Sequence, residues 1–346
     1  MTDPALQRVL DAAVPFALRL RRTFRGVDVR EGMLLRGPSG WGEFAPFDDY
    51  DDRRAARWLA AALEASFGSW PASWRPSIAV NAIIPACAAD DAAILARTAL
   101  LDHGCRTMKV KVGGSLAEDE ARIASVRDVL DASLGSGVGR IRLDANAAWD
   151  VDRAVTSLHR LAAYGIEYVE QPCPDLDDLR VLRDRIEVPI AVDEGLRTSD
   201  DPQALAAAGE RLRAACDVII LKAAPLGGVD AAMRIADAVA LPVVVSGSLD
   251  SSVGLAPSLA LAGALDLDVA CGLGTGALLR DDLVDPPLQP MDGELPVVRP
   301  APDLDALLAA RDRIGLDRAA WWGERLRRAW DAGAGAQWRA LVEAAP

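Results

Sequence analysis

Eight short runs rich in β-branched and apolar residues recur between positions 77 and 273, and helix-like stretches separate most of them. The runs are residues 78–84, 107–112, 140–144, 168–170, 190–193, 217–222, 242–246 and 269–272. A regular strand–helix–strand alternation produces a parallel sheet, and eight such strands are enough to close a barrel. The pattern therefore predicts an α/β barrel, with a doubly wound open sheet as the alternative.

The segments before and after this strand–helix alternation have different sequence patterns. Residues 1–75 contain hairpin-like pieces at 32–36 and 40–44 and then a helical stretch, which indicates an α+β capping domain. We assign residues 76–284 to the barrel. Residues 285–346 begin Pro-rich and end in helical stretches, so we expect them to pack back on the cap or the barrel rim.

Charge and composition exclude several classes of function. The chain carries 38 basic and 51 acidic residues, a formal charge of −13, which disfavours nucleic acid and anionic membranes as partners. Five scattered cysteines and the lack of a long apolar run favour a reduced, cytoplasmic protein. The two histidines, His103 and His159, lie in helix-like stretches, so a Ser-His-Asp triad or a His-rich zinc site is not expected.

Acidic side chains occupy the ends of three successive predicted strands: Asp144, Glu170 and Asp193. Catalytic residues of β/α-barrels lie at this end of the strands. Carboxylates that converge there need a cation between them, and hard oxygen ligands without histidine or thiolate favour Mg²⁺ or Mn²⁺ over zinc. For each acid taken alone, capping of the next helix is the alternative. Because three strands share the pattern, we expect one divalent-metal site.

Lysine occurs at three positions only, Lys109, Lys111 and Lys222, and arginine supplies every other basic side chain. Lys109 and Lys111 are two residues apart on a predicted strand, so both side chains face the barrel interior while Met108 and Val110 face the helices. Two neighbouring amines lower each other's pKa, which makes a neutral lysine available as a base at about pH 7. An exposed edge strand with solvated lysines is the alternative.

Weaker signals follow the last two predicted strands. Ser246, Gly247 and Ser248 follow the seventh strand and open a predicted helix. The backbone N–H groups there are suited to a substrate carboxylate, with an ordinary helix N-cap as the alternative. We expect Gly272 and Gly274, after the eighth strand, to permit close approach of a ligand. In the cap, the stretches containing Arg25 and residues 41–44 form either a lid over the barrel mouth or a plain hairpin turn.

Assembled, these segments resemble the enolase superfamily, in its muconate-lactonizing subgroup. The matching motifs are Lys109-Val110-Lys111, Asp144-Ala145-Asn146, Glu170-Gln171-Pro172, Asp193-Glu194 and Leu221-Lys222. The resemblance implies a modified TIM barrel, (β/α)7β, with an N-terminal α+β capping domain completed by C-terminal segments. Residues 23–26, 41–47 and 246–255 are similar to those of dehydratases of the menaquinone pathway. The acidic pair that dipeptide epimerases carry after strand eight is absent from residues 271–274.

The resemblance also implies an activity and residue roles. The activity is that of a carbon–oxygen lyase, the syn-dehydration of 2-succinyl-6-hydroxy-2,4-cyclohexadiene-1-carboxylate through an enediolate. Asp144, Glu170 and Asp193 would bind one Mg²⁺ or Mn²⁺, Lys111 would take the α-proton, Lys222 would stabilise the anion, and Lys109 would bind the carboxylate and lower the pKa of Lys111. Asn146 and Glu194 would support the ligands, and Arg25, Ser246, Gly247 and Ser248 would contact the substrate.

Three other functions stay open on the sequence. An N-acylamino acid racemase or a cycloisomerase of the same superfamily also uses two opposed lysines. A Schiff-base aldolase would use a barrel lysine as nucleophile but leaves the three acids unexplained. A binding module without catalysis is the non-enzymatic alternative. We expect a small-molecule carboxylate as partner, and the oligomeric state is open, with a monomer compatible with the sequence.

Overall fold

The N-terminal cap is a three-stranded antiparallel sheet covered by helices. The computed structural model describes residues 3–24 and 26–345. In chain order the cap contains α1 (Pro4–Asp11), β1 (Ala13–Phe24), β2 (Val27–Gly37), β3 (Gly40–Phe44) and α2 (Asp52–Phe67). Its sheet has the order β1-β2-β3. The α+β character of this segment is confirmed, although the sequence analysis did not identify β1 as a strand.

The following segment alternates strands and helices as predicted. Its elements are β4 (Ser77–Ile84), α3 (Ala89–Leu101), β5 (Thr107–Lys111), α4 (Leu116–Leu134), β6 (Arg140–Asp144), α5 (Val151–Leu161), β7 (Ile166–Glu170), α6 (Leu176–Arg183), β8 (Ile190–Val192), α7 (Glu194–Arg197), α8 (Pro202–Ala208), α9 (Glu210–Ala215), β9 (Val218–Leu221), α10 (Ala223–Leu226), α11 (Val229–Val239), β10 (Val243–Val245), α12 (Ala256–Ala264) and β11 (Cys271–Gly274).

Eight parallel strands close into a barrel. The hydrogen-bonded order runs from β10 through β9, β8, β7, β6, β5 and β4 to β11. The two ends meet where Ser246, directly after β10, pairs with Gly272 of β11, and the Gly247 N–H donates to the Gly272 carbonyl at 3.0 Å. Seven helical connections join eight strands, so the predicted (β/α)7β architecture is confirmed.

The period of two along each strand separates two layers of side chains. Met108 and Val110 of β5 are fully buried in the cluster between sheet and helices. Burial of each such side chain contributes roughly 1.5–3 kcal/mol. The opposite face points into the barrel, where Tyr168 and Ile220 belong to a small interior cluster. Polar groups at the last inward positions of the strands therefore meet at one end of the barrel.

The C-terminal segment returns to the cap. It contains β12 (Glu294–Pro296), which pairs with β4, and then α13 (Leu304–Ile314), α14 (Leu316–Ala329) and α15 (Gly335–Ala344). Trp322 and Trp330 are buried in one cluster with Trp58 of α2, which accounts for them as core residues. The domain boundaries at 75/76 and 284/285 stay a prediction. None of the described helices combines the length and the apolar character needed to cross a membrane.

Two local predictions are corrected. The eighth strand lies at Cys271–Gly274 and not at 269–272, so Gly272 and Gly274 lie within the strand. The helix after Ser246 begins at Ala256 and not directly after β10. Residues between Ser246 and Ala256 form a loop instead, because their polar side chains and N–H groups are bonded to carboxylates of other segments, as described below.

Candidate active site

The candidate site consists of side chains at, or directly after, the carboxyl ends of five consecutive strands. The pairing of parallel strands places Lys111 opposite Asp144, and Asp144 opposite Glu170. Asp193 and Lys222 follow directly after β8 and β9. The three acids and both Lys109 and Lys222 are buried. The expected convergence of acids and amines is therefore present at the carboxyl end of the barrel.

Lys109 bridges two of the carboxylates. Its Nζ lies 2.8 and 2.7 Å from the two carboxylate oxygens of Glu170 and 3.0 Å from Asp144 Oδ2. Burial opposes the charge of Lys109, but Asp144 and Glu170 outweigh it and raise the pKa of Lys109. The expectation that neighbouring amines lower this pKa is therefore wrong for Lys109, because two carboxylates lie within 3.0 Å of its Nζ.

The two bridged acids differ in their ionisation. Burial opposes the charge of Asp144, yet Lys109 and Lys111 hold its pKa well below the usual range. Burial and the charge of Asp144 raise the pKa of Glu170 to about 7, with Lys109 opposing the shift. Glu170 is therefore the acid of this pair that accepts a proton first as the pH falls.

Lys111 lies at one end of the row of acids. Its Nζ is 2.7 Å from Asp144 Oδ2 and 2.6 Å from Asn146 Oδ1, and it lies 5.4 Å from the centroid of the Phe24 ring of the cap. Burial, together with the charge of Lys109, lowers the pKa of Lys111 against the opposing effect of Asp144. The expected shift is thus found at Lys111.

Lys222 lies at the other end, against Asp193. Its Nζ is 2.6 Å from Asp193 Oδ2, and Arg197 Nε donates to Asp193 Oδ1 at 2.9 Å. Burial alone would raise the pKa of Asp193, but Arg197 and Lys222 outweigh it and keep this pKa low. The amines at the two ends of the row, Lys111 and Lys222, therefore belong to different strands, and each is paired with an acid of the row.

The donor chemistry fits a hard divalent cation. Asp144, Glu170 and Asp193 present buried carboxylate oxygens on adjacent strands, which are the ligands that Mg²⁺ and Mn²⁺ prefer. One positive centre, Lys109 Nζ, already contacts both Asp144 and Glu170. Within residues 3–24 and 26–345, however, no group of three or more histidine, cysteine or acidic side chains is arranged as it stands to enclose a metal ion. In this arrangement the acids are paired with ammonium groups.

A pocket opens above these charges. From the strands of the site, the pocket is lined by Lys109, Lys111, Asp144, Asn146 and Lys222. The ends of the last two strands contribute Ser246, Gly247, Ser248, Leu249 and Thr275, and the cap contributes Phe24 and Phe47. The predicted N–H donors are partly used within the protein, since the Ser248 N–H donates to Asp250 Oδ2 at 2.7 Å. The pocket combines cations at its base with small and aromatic residues at its walls.

Close packing surrounds the two glycines that were predicted to contact the substrate. A Cβ atom on Gly272 would lie 2.5 Å from Ser246 Oγ, and one on Gly274 would lie 2.5 Å from the Asn81 carbonyl oxygen. Close packing of neighbouring strands therefore accounts for both glycines without a ligand. Arg25 lies outside the described residues. Ser246, Gly247 and Ser248, by contrast, line the pocket as expected.

Sequence reasoning missed Arg197 and gave no role to Gln171. Arg197 stands four residues after Asp193, at the spacing of a helical ion pair, and that signal was present in the sequence. The Gln171 side chain accepts from the N–H groups of Asp193 and Gly195 at 3.1 and 3.0 Å. Gln171 therefore fixes the backbone at the strand end that presents Asp193.

Comparison with known proteins agrees with this arrangement. Residues 91–316 match the family model described as enolase C-terminal domain-like, and residues 15–66 match enolase N-terminal domain-like. The chain belongs to the enolase superfamily. The members of this superfamily depend on a divalent metal. The architecture and the family predicted from the strand-end motifs are both confirmed.

Curated relatives indicate which group within the superfamily the chain belongs to. An o-succinylbenzoate synthase of Thermobifida fusca (strain YX) is 46% identical over 322 residues, which cover 91% of this chain and 96% of that protein. The o-succinylbenzoate synthase of Mycobacterium tuberculosis (strain ATCC 25618 / H37Rv) is 43% identical over 332 residues, 94% of this chain and 95% of that protein. The chain is therefore a member of the o-succinylbenzoate synthase family, which consists of lyases.

Solved structures show the same fold at lower identity. The L-Ala-D/L-Glu epimerase of Bacillus subtilis, in a substrate-liganded complex, aligns with a TM-score of 0.70 at 22% identity, over 84% of this chain and 96% of that chain. The muconate lactonizing enzyme of Pseudomonas fluorescens aligns with a TM-score of 0.69 at 21% identity, over 86% and 97%. At this identity the similarity concerns the fold alone.

Proposed function

We propose that this chain dehydrates 2-succinyl-6-hydroxy-2,4-cyclohexadiene-1-carboxylate to 2-succinylbenzoate, the reaction of an o-succinylbenzoate synthase in menaquinone biosynthesis. The observation that carries the proposal is the placement of two ammonium groups at the two ends of one row of carboxylates. Lys111 contacts Asp144 and Lys222 contacts Asp193. In this proposal the reacting carbon of the substrate lies above this row, between the two amines.

Lys111 supplies the proton transfers in this proposal. As a neutral amine it takes the proton from the carbon next to the substrate carboxylate. It then returns that proton to the neighbouring hydroxyl, which leaves as water, and the ring becomes aromatic. The Asn146 side chain holds Lys111 by accepting a hydrogen bond from its Nζ at 2.6 Å. Lys222 stays protonated and stabilises the negative charge that develops when the proton leaves.

A divalent cation would be held by Asp144, Glu170 and Asp193, and it would supply positive charge to the substrate carboxylate. Mg²⁺ is the proposed ion and Mn²⁺ the alternative, because all three ligands are hard oxygens. Lys109 and Lys222 would then share the carboxylates with the metal. In this proposal Asn146 and Glu194 support the site, since the Asn146 side-chain amide donates to Glu194 Oε1 at 3.2 Å.

In this proposal the small and aromatic residues of the pocket walls meet the ring and the polar tail of the substrate. Ser246, Gly247 and Ser248 lie beside Lys222 and would contact the substrate tail through small polar groups. The partner is accordingly a small-molecule carboxylate. A cytoplasmic location and the absence of nucleic-acid partners stay predictions from composition, and the oligomeric state stays open.

The test is an absorbance assay with the cyclohexadiene carboxylate. We expect the wild-type protein to lose activity in EDTA and to regain it with Mg²⁺. The variant Lys111→Ala should lower kcat by roughly 10²–10⁴-fold, because general acid–base catalysis is lost. Arg160→Ala, an exposed residue on the outer face of α5, serves as control and should keep wild-type kcat. Full dehydration activity in Lys111→Ala would refute the assigned base.

A racemase is the second candidate, and the two opposed lysines are the observation that favours it. Removal of a proton by one lysine and its return by the other inverts a carbon centre. N-succinylamino acids, run in the same assay series, test this activity. Racemisation without dehydration would favour the racemase, whereas trapping of substrate by borohydride would favour the Schiff-base aldolase.

A further inference from the structure

Arg197 is a buried arginine that touches no predicted catalytic lysine and yet connects the groups around both. It ends the short helix α7, which begins directly after Asp193. The Arg197 and Asp193 side chains expose only 3% and 1% of their surface. Arg197 Nε donates to Asp193 Oδ1 at 2.9 Å, while Lys222 occupies Oδ2 at 2.6 Å. Both oxygens of Asp193 are therefore held, one by each cation.

The second edge of the guanidinium is connected to Lys111 through a series of hydrogen bonds. Arg197 Nη2 donates to Glu194 Oε1 at 2.7 Å. The same oxygen accepts from Asn146 Nδ2 at 3.2 Å, and Asn146 Oδ1 accepts from Lys111 Nζ at 2.6 Å. A continuous chain of hydrogen bonds thus joins Lys222 to Lys111 around the row of acids, with Arg197 at its centre.

The third side of Arg197 faces the cap. Its Nη1 donates to the Tyr50 hydroxyl, and the guanidinium lies 6.0 Å from the centroid of the Tyr50 ring. The Arg197 carbonyl oxygen accepts from Arg57 of α2 at 2.9 Å. Arg197 therefore connects the barrel site with two residues of the cap.

We propose that Arg197 is a positioning residue: it fixes the orientation of the Asp193 carboxylate and, through Glu194 and Asn146, the position of the Lys111 amine. The inference rests on the proposed function, in which Asp193 binds the metal and Lys111 is the base. A planar guanidinium makes these contacts at once because its donors point in fixed, divergent directions. A lysine ammonium reaches Asp193 but has no such fork.

The experiment compares Arg197→Met and Arg197→Lys with wild type. We expect Arg197→Met to lower kcat by roughly 10–100-fold, with a smaller change in KM, because supporting residues of metal sites have effects of this size. The Kd for Mn²⁺, measured by calorimetry on the protein without substrate, should rise by roughly 10–100-fold. Arg197→Lys should restore part of the Mn²⁺ affinity and less of kcat, because it replaces the charge near Asp193 without the fork.

Arg142→Met is the matched control. Arg142 is also a buried barrel arginine, and it donates to Glu167 and Asn81 at 2.6 and 3.0 Å. Arg142→Met should lower the thermal midpoint without a specific loss of Mn²⁺ affinity. If Arg197→Met and Arg197→Lys keep the wild-type kcat and Mn²⁺ Kd, the positioning role is wrong, even if their thermal midpoints fall like that of the control.

Two further outcomes are distinguishable. If Arg197→Met does not fold, Arg197→Lys decides alone, since wild-type kcat and Mn²⁺ Kd in that variant would overturn the proposal. If the wild-type protein fails to dehydrate the cyclohexadiene carboxylate but Arg197→Met weakens Mn²⁺ binding, the proposed function fails and the role of Arg197 at Asp193 stands.

Discussion

At the scale of single residues, the site is a row of three acids interleaved with amines. The Lys109 ammonium group contacts both carboxylate oxygens of Glu170 and also contacts Asp144. Removing one partner of a buried ion pair destabilises the folded protein, because the remaining charge is buried without an opposite charge beside it. The stability of the site therefore depends on Lys109 when no metal is bound.

Replacement of Lys109 by methionine tests this dependence. In EDTA, we expect Lys109→Met to lower the free energy of unfolding by roughly 3–5 kcal/mol, the usual cost of breaking a buried ion pair. Mg²⁺ should recover part of the loss, because a ligand that binds only the folded state stabilises it. Urea denaturation of both proteins, with EDTA and with Mg²⁺, measures the effect. Equal stability of the two proteins in EDTA would contradict the assigned role of Lys109.

At the scale of elements, the cap strand β3 lies unusually close to α2. A Cβ atom on Gly42 would collide with the backbone carbonyl of Ala62. The strand that carries Glu43 and Phe44 therefore approaches the helix through a position that accepts only glycine.

Gly42→Ala is the corresponding test. We expect it to lower the free energy of unfolding by roughly 1–3 kcal/mol, because overpacking forces the backbones apart. Gly323→Ala is the control. Gly323 lies in α14 with no atom within 4 Å of an added Cβ, so this change should stabilise by roughly 0.4–1 kcal/mol. Urea denaturation measures both variants. A Gly42→Ala protein as stable as the control would show that the strand can shift at no cost.

At the scale of the whole molecule, a buried carboxylate joins the cap to the loop that lines the pocket. Glu43 of β3 accepts from the N–H of Ser251 at 3.3 Å and from its hydroxyl. Burial and the charges of Asp250 and Asp282 raise the pKa of Glu43 to about 7, against the opposing charge of Arg30. The cap–barrel contact is therefore sensitive to pH.

The sign of this sensitivity follows from the shift. In the folded protein the pKa of Glu43 is raised above its ordinary value of 4.5. The stability that the bound proton contributes is therefore fully present below pH 4.5. It is lost as the pH rises through about 7. Relative to Glu43→Gln, the free energy of unfolding of the wild type should fall by up to about 3 kcal/mol across this window. Denaturation series between about pH 5 and pH 8 measure the difference.

Asp281→Asn is the control for this series. Its hydrogen bond with Arg19 lowers the pKa of Asp281 to about 2. The stability from this acid is present above its ordinary value of 3.8 and is lost only as the pH falls towards 2. The difference between wild type and Asp281→Asn should therefore be constant across the range used for Glu43. A constant difference for Glu43→Gln as well would refute the pH sensitivity of the cap contact.

Local pattern was sufficient to predict the barrel and the acids and amines of the site. Strand β6 begins and ends at the predicted residues, 140 and 144. Alternation along β5 placed Lys109 and Lys111 on one face because the side-chain period of a strand is two. The ends of β11 and the start of α12 were predicted wrongly, since glycines and serines carry little periodic signal.

What the sequence by itself determined is the alternation of strands and helices, and with it the end of the barrel at which Asp144, Glu170, Asp193 and the lysines meet. What only the tertiary structure decided is which neighbour each charge acquires. Arg197 meets Tyr50 across 147 positions of the chain, and Glu43 meets Ser251 across 208. The physical reason is range: periodicity orients a side chain within its own element, whereas burial and ion pairing depend on elements that approach each other only in the folded molecule.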